Sequence, residues 1–398
     1  MEALPMKLSV RLATTCSADL REPRNLMSEP FIPPTDNPPP PAPEPPPVGA
    51  PPTSRPNGLT PDFDIIPTQI RSRIAMTISC TDADELPRVS NAGEVIDGPS
   101  GPVQVMHNGV LVEDGCYYGV LSGEIIRCLR GIHEPQEELA FSIIMKRLAE
   151  TRSATQAPTM IELGSFWAYY SLWFLNDFPD GNSICLEPDE HHLEVGKRNF
   201  AINGRTGTFI NAAIGIGGGS IRGFVTETNP DPVDLPSHDL ESLLATCEIE
   251  KVDVLLSDIQ GGEVPLLIRA SERLRQGAVR FLIVSTHDLS ITGSATTHQQ
   301  VLDILLWSGA HIIAEHSVSE SFSGDGLIVA SFDPRDKDMK INISHNRSRN
   351  ALFGEWEPRA ESYRLQLHEA KEKLERLESL LPLRIRRKFL NVWNALKS

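Results

Sequence analysis

Between residues 154 and 335, short apolar runs alternate with longer amphipathic stretches. TMIEL (159–163), SICLE (183–187), VDVLLSD (252–258) and VRFLIVSTH (279–287) are apolar at nearly every core position, and GTFINAAIG (207–215) reads as a further strand and turn. Runs of this kind leave no face for water, so they predict strands buried on both sides. The segments between them read as helices: a stretch ending near Leu175, HHLEVGKRNFAING (191–204) closed by Gly204, EVPLLIRASERL (263–274) and HQQVLDILLWSG (298–309). Strand–helix alternation predicts a doubly wound α/β fold with a mostly parallel sheet. HIIAEHS (311–317) and GLIVASF (326–332) have no helix between them. They predict an antiparallel pair, hence an antiparallel edge strand.

The flanks have other patterns. Residues 1–65 read as a disordered arm, since about half of 30–56 is proline, which favours extended polyproline II over a packed core. Residues 66–153 read as an N-terminal extension. VQVMHNGVLV (103–112) predicts a hairpin turning at Asn108–Gly109, and VLSGEIIRCLRG (120–131) a helix. HEPQEELAFSIIMKRL (133–148) predicts a second helix, with Pro135 in its first turn and Glu137 and Glu138 at the positive end of its dipole. Residues 336–355 read as a linker. In 356–398, Leu367, Ala370, Leu374, Leu377 and Leu381 follow a 3-4-3-4 spacing, a short coiled-coil seam. Beyond Pro382 comes a basic amphipathic helix containing Arg384, Arg386, Arg387 and Lys388. This tail is expected to pack on its own domain, to join a second copy in a homo-oligomer, or to touch a membrane peripherally.

Charge and composition narrow the function. The 398 residues are 40% hydrophobic and 23% charged, with formal net charge −16. That balance argues against broad nucleic-acid binding, which needs a basic footprint. The six cysteines are scattered, with no C-x-x-C pair, so reduced thiols are expected and no zinc site. Neither a signal-peptide pattern nor an apolar run long enough to cross a membrane is found. The expected location is cytoplasmic.

In open parallel sheets, ligands bind beyond the carboxyl ends of the strands, where strand order reverses. The first strand is followed by Glu162-Leu163-Gly164-Ser165, in which Gly164 permits a tight turn and close backbone approach. No G-x-G-x-x-G follows, and a carboxylate stands beside the turn. A pyrophosphate would be repelled there, whereas the sulfonium and ammonium of S-adenosylmethionine suit it. Glu187-Pro188-Asp189 ends the second strand, where an acid can accept ribose hydroxyls. Asp189 doubles as a helix N-cap. Asp258, after the fourth strand, faces the cleft; it could hold an amino group, orient a hydroxyl or coordinate a divalent ion, though no metal-ligand set is assigned. Glu263 reads equally well as a first-turn helix residue. His287, ending the fifth strand, is a candidate general base.

These residues resemble the FkbM-type family of class I methyltransferases. ELGSFWAYYS (162–171), LEPDEHHLEVGKRNFAING (186–204), SDIQGGE (257–263) and FLIVSTH (281–287) follow the family pattern in order. Phe166 stands where the family has Asn, and Ala168 where it has a second Gly. Phe166 would narrow the pocket or flank an adenine. Ala168 would be strained if that backbone has positive φ. The resemblance implies S-adenosylmethionine as cofactor, contacted by Glu162, Gly164, Ser165, Ser171, Glu187, Pro188, Asp189 and Asp258, with Asp258 and His287 catalytic. It implies O-methylation of a small-molecule or glycan acceptor: a hydroxyl of a sugar, glycolipid or secondary metabolite. HEPQEE (133–138) also resembles a segment of some relatives, which brings Glu137 or Glu138 to the pocket mouth. Two other readings stay open: a non-catalytic scaffold of the same fold acting through 356–398, and an NAD-dependent oxidoreductase.

Overall fold

A computed structural model describes residues 61–62, 65–66, 68–153 and 155–346. The proline-rich run and the helical tail over 356–398, with the membrane or oligomer role expected of that tail, lie outside the described residues. In chain order the elements are α1 (Thr68–Ser79), β1 (Val95–Gly98), β2 (Gly101–Val105), β3 (Leu111–Glu113), α2 (Val120–Cys128), α3 (Pro135–Thr151), β4 (Thr159–Leu163), α4 (Tyr169–Asp177), β5 (Asn182–Leu186), α5 (Glu190–Ile202) and β6 (Thr208–Ile210). There follow β7 (Ala213–Ile214), β8 (Gly219–Phe224), β9 (Val233–His238), α6 (Leu240–Thr246), β10 (Val252–Ser257), α7 (Glu263–Arg275), β11 (Val279–Thr286), α8 (Leu289–Thr292), α9 (Thr297–Trp307), β12 (His311–His316) and β13 (Gly326–Ser331).

Seven strands form the main sheet in the order β12-β13-β11-β10-β4-β5-β6. This is a Rossmann-like α/β sheet with the strand order of the class I methyltransferase fold. β13 runs antiparallel to both its neighbours, and the other pairs are parallel. The expected antiparallel pair therefore closes one side of the sheet, with its antiparallel member one place inside the edge. Every residue of β4, β11 and β13 is buried, which explains their continuous apolar runs. β4 lies between β5 and β10, with Leu163 level with Leu186 on one side and Ser257 on the other. The chain winds outward from β4 in both directions, so the strand order reverses there. The loops leaving β4, β5 and β10 open a crevice at this point.

Side chains alternate between two cores. Ile161, Leu163, Ile184, Leu186, Leu255, Leu282 and Val284 face one side, against Leu243, Leu266, Leu267, Leu274, Val301 and Leu305 of α6, α7 and α9. Met160, Cys185, Val254, Leu256, Phe281 and Ile283 face the other. There they meet α4, α5 and the extension, which contributes Ile74 and Ile78 of α1, Ile125 and Ile126 of α2, and Phe141, Ile144 and Leu148 of α3. The segment before residue 154 thus supplies much of one face's core.

Several elements have weak sequence signals. The expected hairpin forms between β2 and β3, with Gly109 at φ +85°, and β1 adds a third strand to it. β8 and β9 pair in the segment 216–240, joined by β7 in a small three-stranded sheet. The linker expected from residue 336 is packed as far as 346. Ile341 is buried and donates its N–H to the Ile313 carbonyl, and the Ser344 N–H reaches Asp82. Among the described residues the five cysteines form no disulfide with one another, and no helix is long and apolar enough to cross a membrane.

Because the extension and the sheet share one core, they should unfold together. Phe141 is fully buried on α3 within that core, so Phe141→Ala should cost about 3–5 kcal/mol. Chemical denaturation followed by circular dichroism and by tryptophan fluorescence should give coincident single transitions. Two separable transitions would show an independently stable extension.

Candidate functional site

The crevice holds a cavity of about 380 Å³, within the ~300–1,000 Å³ range of small-molecule sites. Its wall includes Glu162, Gly164, Ser165, Glu187, Pro188, Asp189 and Asp258, so the structure brings most of the sequence-predicted residues together. Ser171 and His287 are absent from that wall. Each instead supports a residue that lines it.

The exits of β4 and β10 touch at Gly164. Its φ is +74°, and a Cβ there would lie 1.8 Å from the Asp258 carbonyl oxygen. Only glycine meets both conditions. The Asp258 N–H donates to the Leu163 carbonyl (2.9 Å), and the N–H groups of Gly164 and Ser165 donate to that of Leu186. Three strand ends are thereby stitched into one floor. Glu162 projects to the α4 side of β4, where its Oε2 accepts the Ser171 N–H at 3.0 Å. Ser171 is fully buried and serves the cavity through Glu162 alone. Burial raises the Glu162 carboxyl to about 8. This group is stabilised by any cation placed beside it.

Glu187 ends the next strand. Its oxygens accept the N–H groups of Phe166 (3.0 Å) and Asp189 (2.9 Å), fixing its rotamer. Burial still raises it, to about 7. Asp189 is otherwise engaged. It caps α5 through the N–H groups of His191 and His192 and accepts both the N–H and the hydroxyl of Thr228 at 2.7 Å. Burial would raise its carboxyl, but these bonds outweigh it and hold the group at about 2. The expected capping role is therefore present, and the residue also lines the cavity. Pro188 stays on the wall, its carbonyl accepting from Asn211.

His287, the expected general base, stands off the cavity wall, behind Asp258. The imidazole is buried, with Nε2 2.9 Å from Asp258 Oδ1, Nδ1 3.0 Å from Glu263 Oε1, and Asp325 at 3.9 Å. Burial alone would lower its basicity, but the surrounding carboxylates raise it to about 11. The ring turns both nitrogens toward carboxylates. It holds Asp258 at the cavity wall. Glu263 opens α7 as the expected first-turn residue, yet it is fully buried and spans His287 and the Gly261 N–H. Asp325, raised to about 7 by burial, comes from the loop before β13, where no sequence pattern marks it. Among the described residues no cluster of His, Cys, Asp or Glu side chains is arranged to hold a metal ion.

The extension supplies the opposite wall: Tyr117, Tyr118, His133, Glu134 and Glu137 all line the cavity. Of the two acids placed near the mouth by resemblance, Glu137 lines it. Glu138 lies behind, bound to His133 (2.6 Å) and the Tyr169 hydroxyl (3.2 Å). Glu137 is buried and accepts the Ser285 hydroxyl at 3.0 Å. Burial pushes its carboxyl well up. Tyr118 reaches across the mouth to Glu227, 3.4 Å away on the loop after β8. Phe166 stacks on His192, ring centres 3.5 Å apart, and forms wall without closing the cavity. Ala168 has φ 57° and ψ 36°, the conformation in which its methyl costs roughly 1–2 kcal/mol. Space for that methyl comes from Gly196 of α5, where a Cβ would lie 3.2 Å from that of Ala168.

No protein-family model matches the chain, and no curated protein matches it. Among solved structures the chain is similar to precorrin-6y C5,15-methyltransferase from Geobacter metallireducens GS-15, at 14% identity over 48% of this chain and 87% of that one, TM-score 0.30. It is similar to M. capricolum TrmK in complex with S-adenosyl-homocysteine, at 13% identity over 64% and 93%, TM-score 0.29. A third is the N-terminal domain of human METTL16 in complex with the same molecule, at 12% identity over 50% and 71%, TM-score 0.32.

The role of His287 has a pH signature. His287→Leu leaves Asp258 and Glu263 facing each other without a cation and should cost about 3–5 kcal/mol near neutral pH. The folded value, about 11, lies above the unfolded 6.5. The stabilisation is therefore complete below about pH 6.5 and is lost as pH rises through 11. Denaturant titrations of both proteins should show the gap narrowing between pH 7 and 10.5. A gap independent of pH would rule out the charged imidazole.

Proposed function

We propose that this protein is an S-adenosylmethionine-dependent methyltransferase acting on a hydroxyl oxygen of a small acceptor. The observation carrying this reading is the cavity's acidic lining: at the sheet's switch point it is lined by Glu162, Glu187, Asp258 and further acids, with no lysine or arginine among the described wall residues. A dinucleotide's pyrophosphate would meet an excess of carboxylates there, since the one strongly basic wall residue among those described, His133, is already shared by Glu134 and Glu138. A sulfonium and an ammonium would meet the charge they require. When bound, S-adenosylmethionine supplies the methyl group.

The chain's own residues account for the remaining work. Glu187, fixed by two backbone N–H donors, keeps lone pairs for vicinal hydroxyls. Glu162 offers negative charge at the β4 turn. Gly164 lets the backbone come close, as a bulkier residue would not. Asp258, steadied by His287, is the group placed to take the proton as a hydroxyl becomes nucleophilic. The wall holds the acceptor in a productive orientation, which is the larger part of catalysis for an in-line transfer. A sugar, glycolipid or secondary-metabolite hydroxyl, the acceptors implied by the FkbM-type resemblance, fits this scheme.

Calorimetric titration of the full-length protein with S-adenosylmethionine and S-adenosylhomocysteine should show micromolar binding of both and none of NAD. Glu187→Ala should weaken both by about tenfold or more with little change in melting temperature. Absence of binding by the folded protein would overturn the cofactor assignment and favour the scaffold reading.

A further inference from the structure

Along the strand ends the cavity runs from Glu187 after β5, past β4 and β10, to Glu137, which is held by Ser285 of β11. That is three strand spacings, roughly 14 Å. The far end differs in make-up from the end near Glu162 and Glu187. Glu134 and Glu137 of the extension stand there with Asp258. Tyr117 stacks on Trp167, centres 4.6 Å apart and planes 9° from parallel. Both rings belong to the wall.

We infer that this far end binds a positively charged amine, so that the acceptor is a small hydroxyl-bearing amine such as an amino alcohol or amino sugar. The inference rests on the methyltransferase reading and adds the acceptor's charge.

Three independent observations support it. First, acids outnumber cations. His133 is shared by Glu134 (3.2 Å) and Glu138 (2.6 Å), and His287 by Asp258, Glu263 and Asp325. Glu137 has only the Ser285 hydroxyl among its hydrogen bonds. Arg73 acts electrostatically on Asp325 but does not line the cavity. Second, the Tyr170 hydroxyl is buried on the wall with no hydrogen-bond partner, in a residue only 5% exposed. Glu137 and Glu134 are the acids that act on it most strongly. The oxygen of that hydroxyl is free to accept a hydrogen bond, and an ammonium has three N–H groups to divide between it and the nearby carboxylates. Third, stacked aromatic faces next to carboxylates attract cations through both charge and ring quadrupole. The Tyr118–Glu227 contact across the mouth favours a small molecule over a protein side chain on a bulky carrier.

The test uses three probes of matched size: ethanolamine, ethylene glycol and glycolate, which pair a hydroxyl with a cation, a neutral group and an anion. Saturation-transfer NMR on the full-length protein, with and without S-adenosylhomocysteine, should show ethanolamine binding about tenfold more tightly than ethylene glycol, and glycolate not at all. The Glu134→Gln/Glu137→Gln double variant should lose that preference while keeping its affinity for S-adenosylhomocysteine. Tyr170→Phe, the smaller change, should weaken ethanolamine about threefold in a protein of unchanged melting temperature. Equal binding of the three probes, preference for glycolate, or a preference that survives in these variants would overturn the inference. Failure of S-adenosylhomocysteine to bind would instead sink the cofactor reading, since the probe arm without it stands on its own.

Discussion

The contact between Gly164 and the Asp258 carbonyl sets the geometry on which the site depends. Two parallel strands leave the sheet side by side, and their loops must diverge or touch. Here they touch, because residue 164 has no side chain and a backbone with φ +74°. With that approach fixed, Asp258 stands at the wall and His287 from the next strand can reach it. Glu263, the first residue of the following helix, then closes on His287 from behind. A buried imidazolium between acids is costly to desolvate and is tolerated because each charge faces another. The chain accepts that cost and gains a carboxylate whose position is settled before any ligand arrives.

How much of this could be read from the sequence depended on whether a residue's role is set locally. β4, β10 and β11 were legible because strands buried on both faces must be apolar throughout. Glu162, Glu187 and Asp258 were legible for the same reason: a carboxylate ending such a run has nowhere to go except the crevice. Ser171 and His287 lie in the right segments but act through neighbours, and no local pattern separates a residue that lines a cavity from one that braces it. Asp189 carried both readings; it caps α5 and lines the cavity, and its bonds to Thr228 of a distant loop had no local signal. β8 and β9 lack the apolar runs of the main sheet because they are largely exposed. Tyr117, Glu134, Tyr170 and Asp325 meet only after folding, from segments up to two hundred residues apart. Glu137 alone among the extension's residues was anticipated, and by resemblance.

The loop from β4 to α4 shows how one fold absorbs unusual residues. Phe166 has φ 38° and Ala168 φ 57°, two positions where a side chain costs energy. Both are compensated within α5: His192 stacks on the Phe166 ring, and Gly196 leaves room for the Ala168 methyl. His192 and Gly196 are four residues apart, hence on one face of the helix. The departures in the loop and the composition of that face form one packing solution, and the cavity stays open.

The two ends of the cavity have different structural origins. Glu162, Gly164 and Glu187 come from the ends of adjacent sheet strands, whose positions are fixed by the register of the whole core. Tyr117, Glu134 and Glu137 come from the extension, which is anchored to the same core through α1, α2 and α3 but is not constrained by strand pairing. A change in the extension can therefore reshape the far wall without disturbing the floor. The reverse does not hold, since Asp258 acts electrostatically on Glu137, Glu162 and Glu187. The acids of the extension thus stand beside a floor whose own carboxyls are already pushed up by burial. Such an arrangement raises the energy of the empty cavity and lowers it most when a cation enters, which ties the site's selectivity to the same charge imbalance that makes it costly to build.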